Sequence, residues 1–152
     1  MHTHKSNNRN NWLPFLFVVI ITICWIIGNS LMSSEISNGF SSTISDAILS
    51  FVDPNGHIDS HIFHVFIRKA AHFTEYAVLG IFLCILILRK RNTNDLQTII
   101  VSLIIALFIA ATDEFVQNFS ERSSMVKDVI IDLCGATTGI LLTCTFSFRR
   151  GQ

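Results

Sequence analysis

The hydrophobic residues of the chain gather in four long blocks, and the charged residues lie between these blocks or at their ends. The blocks cover residues 12–27, 70–88, 96–115 and 129–148. A membrane-spanning helix needs about 20 predominantly apolar residues, and each block is close to this length. The pattern therefore predicts an all-α polytopic membrane protein with four transmembrane helices.

Two other interpretations of these blocks are weaker. The helices of a small soluble bundle would show a polar face at helical period. The apolar cores of the blocks show none. The first block follows a polar start with Lys5 and Arg9, as the core of a cleaved signal peptide also would. Because residues 26–30 match the small-residue cleavage pattern poorly, we interpret this block as a retained helix.

The segment between the first two blocks, residues 30–67, also carries a helical pattern. Its apolar residues recur at helical spacing, which predicts an amphipathic helix on the membrane surface or folded against the bundle. These residues are Phe40, Ile44, Ile48, Phe51 and Val52. Residues 53–56 (DPNG) are typical of a turn, and a second apolar stretch, residues 58–67, leads into the second span.

The composition agrees with a membrane protein. Only 14% of the residues are charged, against about 25% in a typical soluble domain. The formal net charge is zero, so there is no basic field to attract nucleic acid. The four cysteines lie singly inside apolar blocks. We interpret each as a small hydrophobe rather than as part of a disulfide or a thiolate metal site.

The basic residues predict the orientation of the spans, since cytoplasmic loops carry an excess of Lys and Arg. Four spans place on one side Lys5, Arg9, Arg89, Lys90, Arg91, Arg149 and Arg150, and on the other Arg68, Lys69, Arg122 and Lys127. The larger group predicts that both termini are cytoplasmic. Residues 1–11 would form a cytoplasmic N-terminus, residues 12–148 a single membrane domain and residues 149–152 a cytoplasmic tail.

Ionisable residues interrupt the last three blocks near their predicted outer ends. Arg68, His72, Glu75 and Tyr76 follow the spacing i, i+4, i+7 and i+8, which places them on one helix face. Asp113 and Gln117 share a face of the third span in the same way. The other polar residues at this depth are Lys69, Glu114, Arg122, Lys127, Asp128 and Asp132. The topology brings all of them to one side of the membrane, and we call this set the polar cluster.

The polar cluster is a functional-site hypothesis by default, because an isolated charge inside a membrane is costly. Its acids and bases are roughly balanced, as a self-paired network needs. Two other interpretations stay open. Arg68, Lys69, Lys127 and Asp128 could mark helix ends at the lipid head groups. The whole cluster could also be a structural network that locks the helices together.

Two smaller motifs have structural interpretations. Gly135 and Gly139 form a small-xxx-small pattern, which we interpret as packing of the fourth span against a neighbour within the chain rather than as a dimer contact. His57, His61 and His64 share a helix face that zinc could use. The third imidazole would reach poorly around one ion, so we interpret them as the polar side of a surface helix. We therefore predict no metal and no cofactor.

The motifs of the polar cluster resemble the VanZ-like family. The matching segments are residues 68–76 (RKAAHFTEY), residues 113–117 (DEFVQ), Arg122, and Asp128 with Asp132 and Gly135. The family pattern is K-x-x-H-x-x-E-Y, D-E-x-x-Q, R and D-x-x-x-x-x-x-G. Residues 33–35 (SSE) also resemble the Ser-rich patch that often follows the first span there. Residues 118–122 depart from the family, since they lack the Pro-Gly often found before its Arg.

The resemblance covers nearly the whole chain and implies a bacterial plasma-membrane protein surrounded by the lipid bilayer. The family's namesake is associated with low-level resistance to the glycopeptide antibiotic teicoplanin. The resemblance therefore implies a location and an architecture more than a mechanism.

Three functions fit the polar cluster, and we favour the first. It is binding of an envelope lipid or a lipoglycopeptide at the outer face, without catalysis. Arg68, Lys69, His72 and Arg122 would then meet a phosphate or carboxylate head group.

The second function is that of an intramembrane enzyme acting on a lipid-linked substrate. His72 or Glu75 would be its general base, with Asp113 and Glu114 as a metal or acid pair. The third function is a membrane scaffold, in which the charges only fix the helix packing.

Overall fold

The computed structural model describes residues 12–32, 34–53, 57–90, 95–119 and 126–149. Its helices, in chain order, are α1 (Leu13–Ser30), α2 (Ser34–Val52), α3 (Ser60–Lys90), α4 (Asp95–Phe119) and α5 (Val126–Arg149). Within these ranges α1, α3, α4 and α5 are long and apolar enough to cross a membrane. They contain the predicted blocks almost entirely, which confirms the prediction of an all-α protein with four membrane spans.

α3 is longer than a membrane span requires. Its 31 residues extend about 46 Å at a rise of 1.5 Å per residue, whereas the hydrocarbon core of a bilayer is about 30 Å thick. The apolar stretch at residues 58–67 and the second predicted span merge into this one helix, because no proline interrupts them. His61 and His64 lie in its first turns, while His57 precedes the helix.

The bundle exposes apolar side chains and buries small and polar ones. Phe17, Phe108 and Phe146 are 65%, 74% and 66% exposed, whereas Ala106 and Ala136 are fully buried. A large apolar surface of this kind marks contact with lipid or with another protein. Together with the lengths of the helices, it fits a bundle that lies inside a bilayer.

α3 and α5 approach each other closely along a line of glycines. Gly135 lies against the backbone of Phe73, and Gly139 against the backbone of Ala77. Gly80 makes the same kind of contact from the α3 side. A Cβ at any of these glycines would overlap a backbone carbonyl oxygen of the facing helix. The small-residue motif thus lies between two helices of the same chain.

The C-terminal end of α3, with Arg89 and Lys90, meets the beginning of α1. The guanidinium of Arg89 lies 5.4 Å from the ring centre of Phe15, and Nζ of Lys90 lies 4.9 Å from that of Trp12. Both distances suit cation–π contacts. We call this end of the bundle the basic end.

α2 is folded against α3, which decides between the two predicted placements of the amphipathic segment. Ser45 is fully buried, whereas Phe51 is 92% exposed. Nε2 of His64 lies 3.9 Å from Oδ1 of Asp46 and joins the two helices. Because Ile44 and Val52 are also exposed, the outward face of α2 is suited to lie in the membrane interface.

The four cysteines are free thiols. Cys84 of α3 and Cys144 of α5 are buried with their sulfurs 3.5 Å apart, beside the buried Ile140. Cys24 and Cys134 lie on the exposed surface of the bundle. All four occupy apolar surroundings on spans, as small hydrophobes do.

Candidate functional site

The end of the bundle opposite the basic end brings together polar side chains from all four spans, and we call it the polar end. Ser30, Asp113, Glu114, Gln117 and Asp132 are buried there, none more than 6% exposed. They come from the last turns of α1 and α4 and the first turns of α5. Because a buried charge without compensation is costly, the contacts of each carboxylate decide what the polar end can do.

Asp113 is fully buried and is held by neutral donors. The hydroxyl of Ser30 donates a short hydrogen bond to Oδ1 of Asp113, and Nε2 of Gln117 donates to Oδ2 at 3.1 Å. The Gln117 amide also lies 3.4 Å from Oγ of Ser30. The predicted shared face of Asp113 and Gln117 is present, and Ser30 connects it to the end of α1.

Glu75 of α3 is fixed by two side chains of α1. Nε1 of Trp25 and Nδ2 of Asn29 each donate a hydrogen bond of 2.9 Å to Oε1 of Glu75. No residue of the first span was predicted to belong to the site. The contributions of Trp25, Asn29 and Ser30 were therefore missed. The available signal was the polar Asn29-Ser30 pair at the end of an otherwise apolar block.

Asp132 and Tyr76 lie at the centre of the polar end, and both are fully buried. Within the described ranges, the two carboxylate oxygens of Asp132 and the hydroxyl of Tyr76 have no hydrogen-bond partner. Asp113 and Glu114 are near enough to act electrostatically on both. Nδ1 of His72 lies 3.7 Å from Oδ1 of Asp132. One nitrogen or oxygen from each of His72, Asp113 and Asp132 lies within 4.8 Å of the other two.

Lys69 and Asp128 form an ion pair at the rim of the polar end. Nζ of Lys69 lies 2.7 Å from Oδ1 of Asp128, and their side chains are 34% and 14% exposed. Asp128 lies in the first turn of α5, where a negative charge also interacts favourably with the helix dipole. This pair connects α3 to the beginning of α5.

The Lys69–Asp128 pair is expected to contribute little to stability. Exposed ion pairs typically contribute about 0.2–1 kcal/mol, and interhelical hydrogen bonds in one membrane protein average about 0.6 kcal/mol. A double-mutant cycle of Lys69→Gln and Asp128→Asn, measured as free energy of unfolding in detergent, should give a coupling energy below about 1 kcal/mol. A coupling of about 3 kcal/mol or more, as for a buried pair, would contradict the rim placement.

A cavity of about 320 Å³ opens beside Glu75 between α1, α2 and α3. The cavity is lined by apolar and by polar side chains. The apolar ones are Trp25, Met32, Ile44, Ile67 and Ala71, and the polar ones are Asn29, Ser41, Arg68, His72 and Glu75. We call it the α1–α3 cavity. Its volume is near the lower end of the range for small-molecule pockets, about 300–1,000 Å³.

A second cavity, of about 610 Å³, adjoins the first between α2 and the first turns of α3. Its wall is mostly polar and includes Ser42, Ser60, His61 and His64. Ser41 and Arg68 belong to the walls of both cavities, so Arg68 stands at their boundary.

Two members of the predicted cluster remain, Arg122 and Lys127. Arg122 lies outside the described residues, and its place in the cluster stays a prediction. Lys127, at the beginning of α5, is exposed. The His57, His61 and His64 set is only partly on one helix, since α3 begins at Ser60.

The comparison with known proteins assigns the chain to a family. The sequence profile of the VanZ/LLP1 family matches residues 7–147, which includes all four spans and every described residue of the polar end. No curated protein and no solved structure matches the chain. The profile covers far more than half of the sequence and agrees with the motifs that carried the resemblance. The chain is therefore a VanZ-like membrane protein, a member of the VanZ/LLP1 family.

Proposed function

We propose that this protein binds an amphiphilic envelope ligand, a lipid or a lipoglycopeptide, at its polar end. The observation that carries the proposal is the α1–α3 cavity, whose lining combines apolar side chains with the charged Arg68 and Glu75. An amphiphile needs both surfaces, because its chain gains from apolar contact while its head group needs hydrogen bonds or charge.

The charged residues in the cavity lining suit an anionic head group. Arg68 presents a guanidinium at the boundary of the two cavities, and guanidinium groups bind phosphate and carboxylate in a bidentate manner. Glu75 lies in the same lining and is held by Trp25 and Asn29. A carboxylate in a fixed position can meet an amine or hydroxyl of the same head group, which would add specificity.

The proposed orientation places this cavity in the outer leaflet. The basic end carries Arg89 and Lys90, and the excess of Lys and Arg on that side favours a cytoplasmic location for it and for both termini. The polar end then faces the outside of a bacterial plasma membrane, where envelope lipids and glycopeptides are found. This supports a link to resistance against antibiotics of the teicoplanin type.

Trp25 gives a direct test of binding, because it lies in the cavity wall and is one of only two tryptophans. In a Trp12→Phe background, the fluorescence of Trp25 should change in a saturable manner on titration with undecaprenyl phosphate or with teicoplanin. Arg68→Gln should weaken binding about 10- to 100-fold, since a hydrogen bond to a charged group contributes about 1.5–3 kcal/mol. Glu75→Gln keeps the acceptor for Trp25 and Asn29, so it tests the charge alone.

Lys127→Gln is the matched control for Arg68→Gln, because it removes one positive charge from an exposed position outside both cavities. Its affinity should equal that of the wild type. Equal weakening by both variants would indicate general charge attraction, and a lack of saturable binding for both probes would end the proposal.

A cell assay tests the antibiotic link separately. In a sensitised bacterial host, the wild type should raise the inhibitory concentration of teicoplanin, and Glu75→Gln and Glu114→Gln should abolish this at equal membrane levels. Loss of these variants from the membrane would instead support the scaffold function. If the wild type does not change the inhibitory concentration, the protein does not confer this resistance.

A further inference from the structure

Asp132 is a buried carboxylate at the centre of the polar end. It is fully buried, and neither of its oxygens accepts a hydrogen bond within the described ranges. Four acids also act electrostatically on it, namely Asp113, Glu114, Asp128 and Glu75. Such a group is costly in a membrane unless a proton or a cation offsets its charge.

The position of His72 favours a cation. Its Nδ1 lies 3.7 Å from Oδ1 of Asp132, which is too long for a hydrogen bond. Two ligands of one tetrahedral ion with bonds of about 2.1 Å lie about 3.4 Å apart, close to this separation. Asp113 completes a set of three ligand-type atoms, all within 4.8 Å of one another. We infer that His72, Asp113 and Asp132 bind one divalent transition-metal ion inside the polar end.

The surroundings of Asp113 are those of a metal ligand supported by further residues. Ser30 and Gln117 donate hydrogen bonds to its two oxygens. Carboxylates that bind metals are usually oriented by such donors, and an ionised carboxylate has about four lone-pair sites. An ionised carboxylate can therefore accept these two hydrogen bonds and bind an ion as well.

The donor set indicates the class of ion. One imidazole nitrogen suits Zn²⁺ and other late transition metals, while two carboxylates also suit Mn²⁺. A divalent cation would also neutralise the two acids, Asp113 and Asp132. Three protein ligands are the number found at catalytic zinc sites, where a fourth position stays open to water or substrate.

The metal site adjoins the α1–α3 cavity, because His72 belongs to both. An ion there would add a second positive group, besides Arg68, for an anionic head group. Metal binding itself does not depend on the proposed ligand and is tested without it.

Metal content is the direct measurement. Tag-free protein in detergent is treated with a chelator, then equilibrated with Zn²⁺ or Mn²⁺ and analysed by mass spectrometry of the elements. The wild type should retain one ion per chain. Asp132→Asn and His72→Gln should lower the affinity at least about tenfold, the smallest loss typical even for residues that only support a ligand. Co²⁺ loaded into the wild type should show the visible absorption of a nitrogen–oxygen site.

Two controls separate this site from other groups. Asp95→Asn removes an acid in the first turn of α4, at the end of that helix away from Asp113, and it should keep the wild-type affinity. The triple variant His57→Gln, His61→Gln and His64→Gln should also keep it, and a loss there would move the site to these histidines and overturn the inference.

Three further outcomes would also overturn it. They are a wild type without retained metal, a Co²⁺ spectrum without protein ligands, and an Asp132→Asn variant of unchanged affinity. If Asp132→Asn does not fold, the metal content and the Co²⁺ spectrum of the wild type decide alone.

Discussion

Alanine at Gly135 or Gly139 is expected to destabilise the bundle strongly, although it adds only one methyl group. A Cβ at either position would overlap the carbonyl oxygen of Phe73 or Ala77 in α3. The obstacle is backbone, so no side chain can turn away, and α3 and α5 must separate. Overpacking of this kind costs about 1–3 kcal/mol and occasionally more. The expected results are a lower melting temperature in detergent and less protein in the membrane fraction.

Gly28→Ala is the matched control, since it adds the same methyl group to another membrane helix with nothing within 4 Å of the new Cβ. Alanine is favoured over glycine in a helix by about 0.8–1.0 kcal/mol, so this variant should be as stable as the wild type or slightly more stable. Equal melting temperatures for Gly28→Ala, Gly135→Ala and Gly139→Ala would show that α3 and α5 do not approach as closely as described.

Removal of the Asp113 carboxylate is expected to be the most damaging polar substitution. Asp113→Ala leaves the buried Ser30 hydroxyl and Gln117 amide without their shared acceptor. A buried polar group that loses its partner costs about 1–3 kcal/mol. The free energy of unfolding in detergent should fall by about this amount. The measurement is made with a chelator present, so that loss of a bound metal does not contribute.

Thr112→Ala is the control for Asp113→Ala. Thr112 is the neighbouring residue on α4, is exposed, and its hydroxyl donates to the carbonyl of Phe108 in its own helix. Its removal should change the unfolding free energy by no more than about 0.5 kcal/mol, as for most surface substitutions. Similar losses for both variants would mean that the Asp113 hydrogen bonds do not connect α1 and α4 in the protein.

These stability measurements also decide how functional variants are interpreted. Ser30–Asp113 and Trp25–Glu75 connect α1 to α4 and α3, and Lys69–Asp128 connects α3 to α5. Trp25 and Glu75 therefore both hold helices together and line the α1–α3 cavity. A variant with normal stability and lost binding identifies a ligand contact, whereas a loss of both identifies a structural one.

The helices were predictable from the sequence because their cause is local. A block of apolar residues near the thickness of a membrane can satisfy its backbone polar groups only as a helix, so the four spans could be located without a structure. Helical spacing likewise placed His72 and Glu75 on one face of α3, and Asp113 and Gln117 on one face of α4. The observed hydrogen bond between Asp113 and Gln117 agrees with the second placement.

The partners across helices were not predictable. The sequence suggested that acids would pair with bases, as Lys69 and Asp128 do. It did not indicate that Ser30 would donate a hydrogen bond to Asp113, or Trp25 and Asn29 to Glu75. Spacing within one helix says nothing about its rotation or its height relative to a neighbour. Spans that are apolar on nearly all sides give little further information, since lipid accepts any of their faces.

The sequence by itself therefore determined the number of spans, their approximate bounds and the end of the bundle at which the polar residues gather. Only the tertiary structure decided that α1 contributes to the site and that a cavity lies beside Glu75. It also placed one nitrogen or oxygen of each of His72, Asp113 and Asp132, from three different helices, within 4.8 Å of the other two. The physical reason is that hydrophobicity and helical period act along one segment. Contacts between helices instead depend on how the helices are rotated and aligned, and the close glycine packing fixes this for α3 and α5.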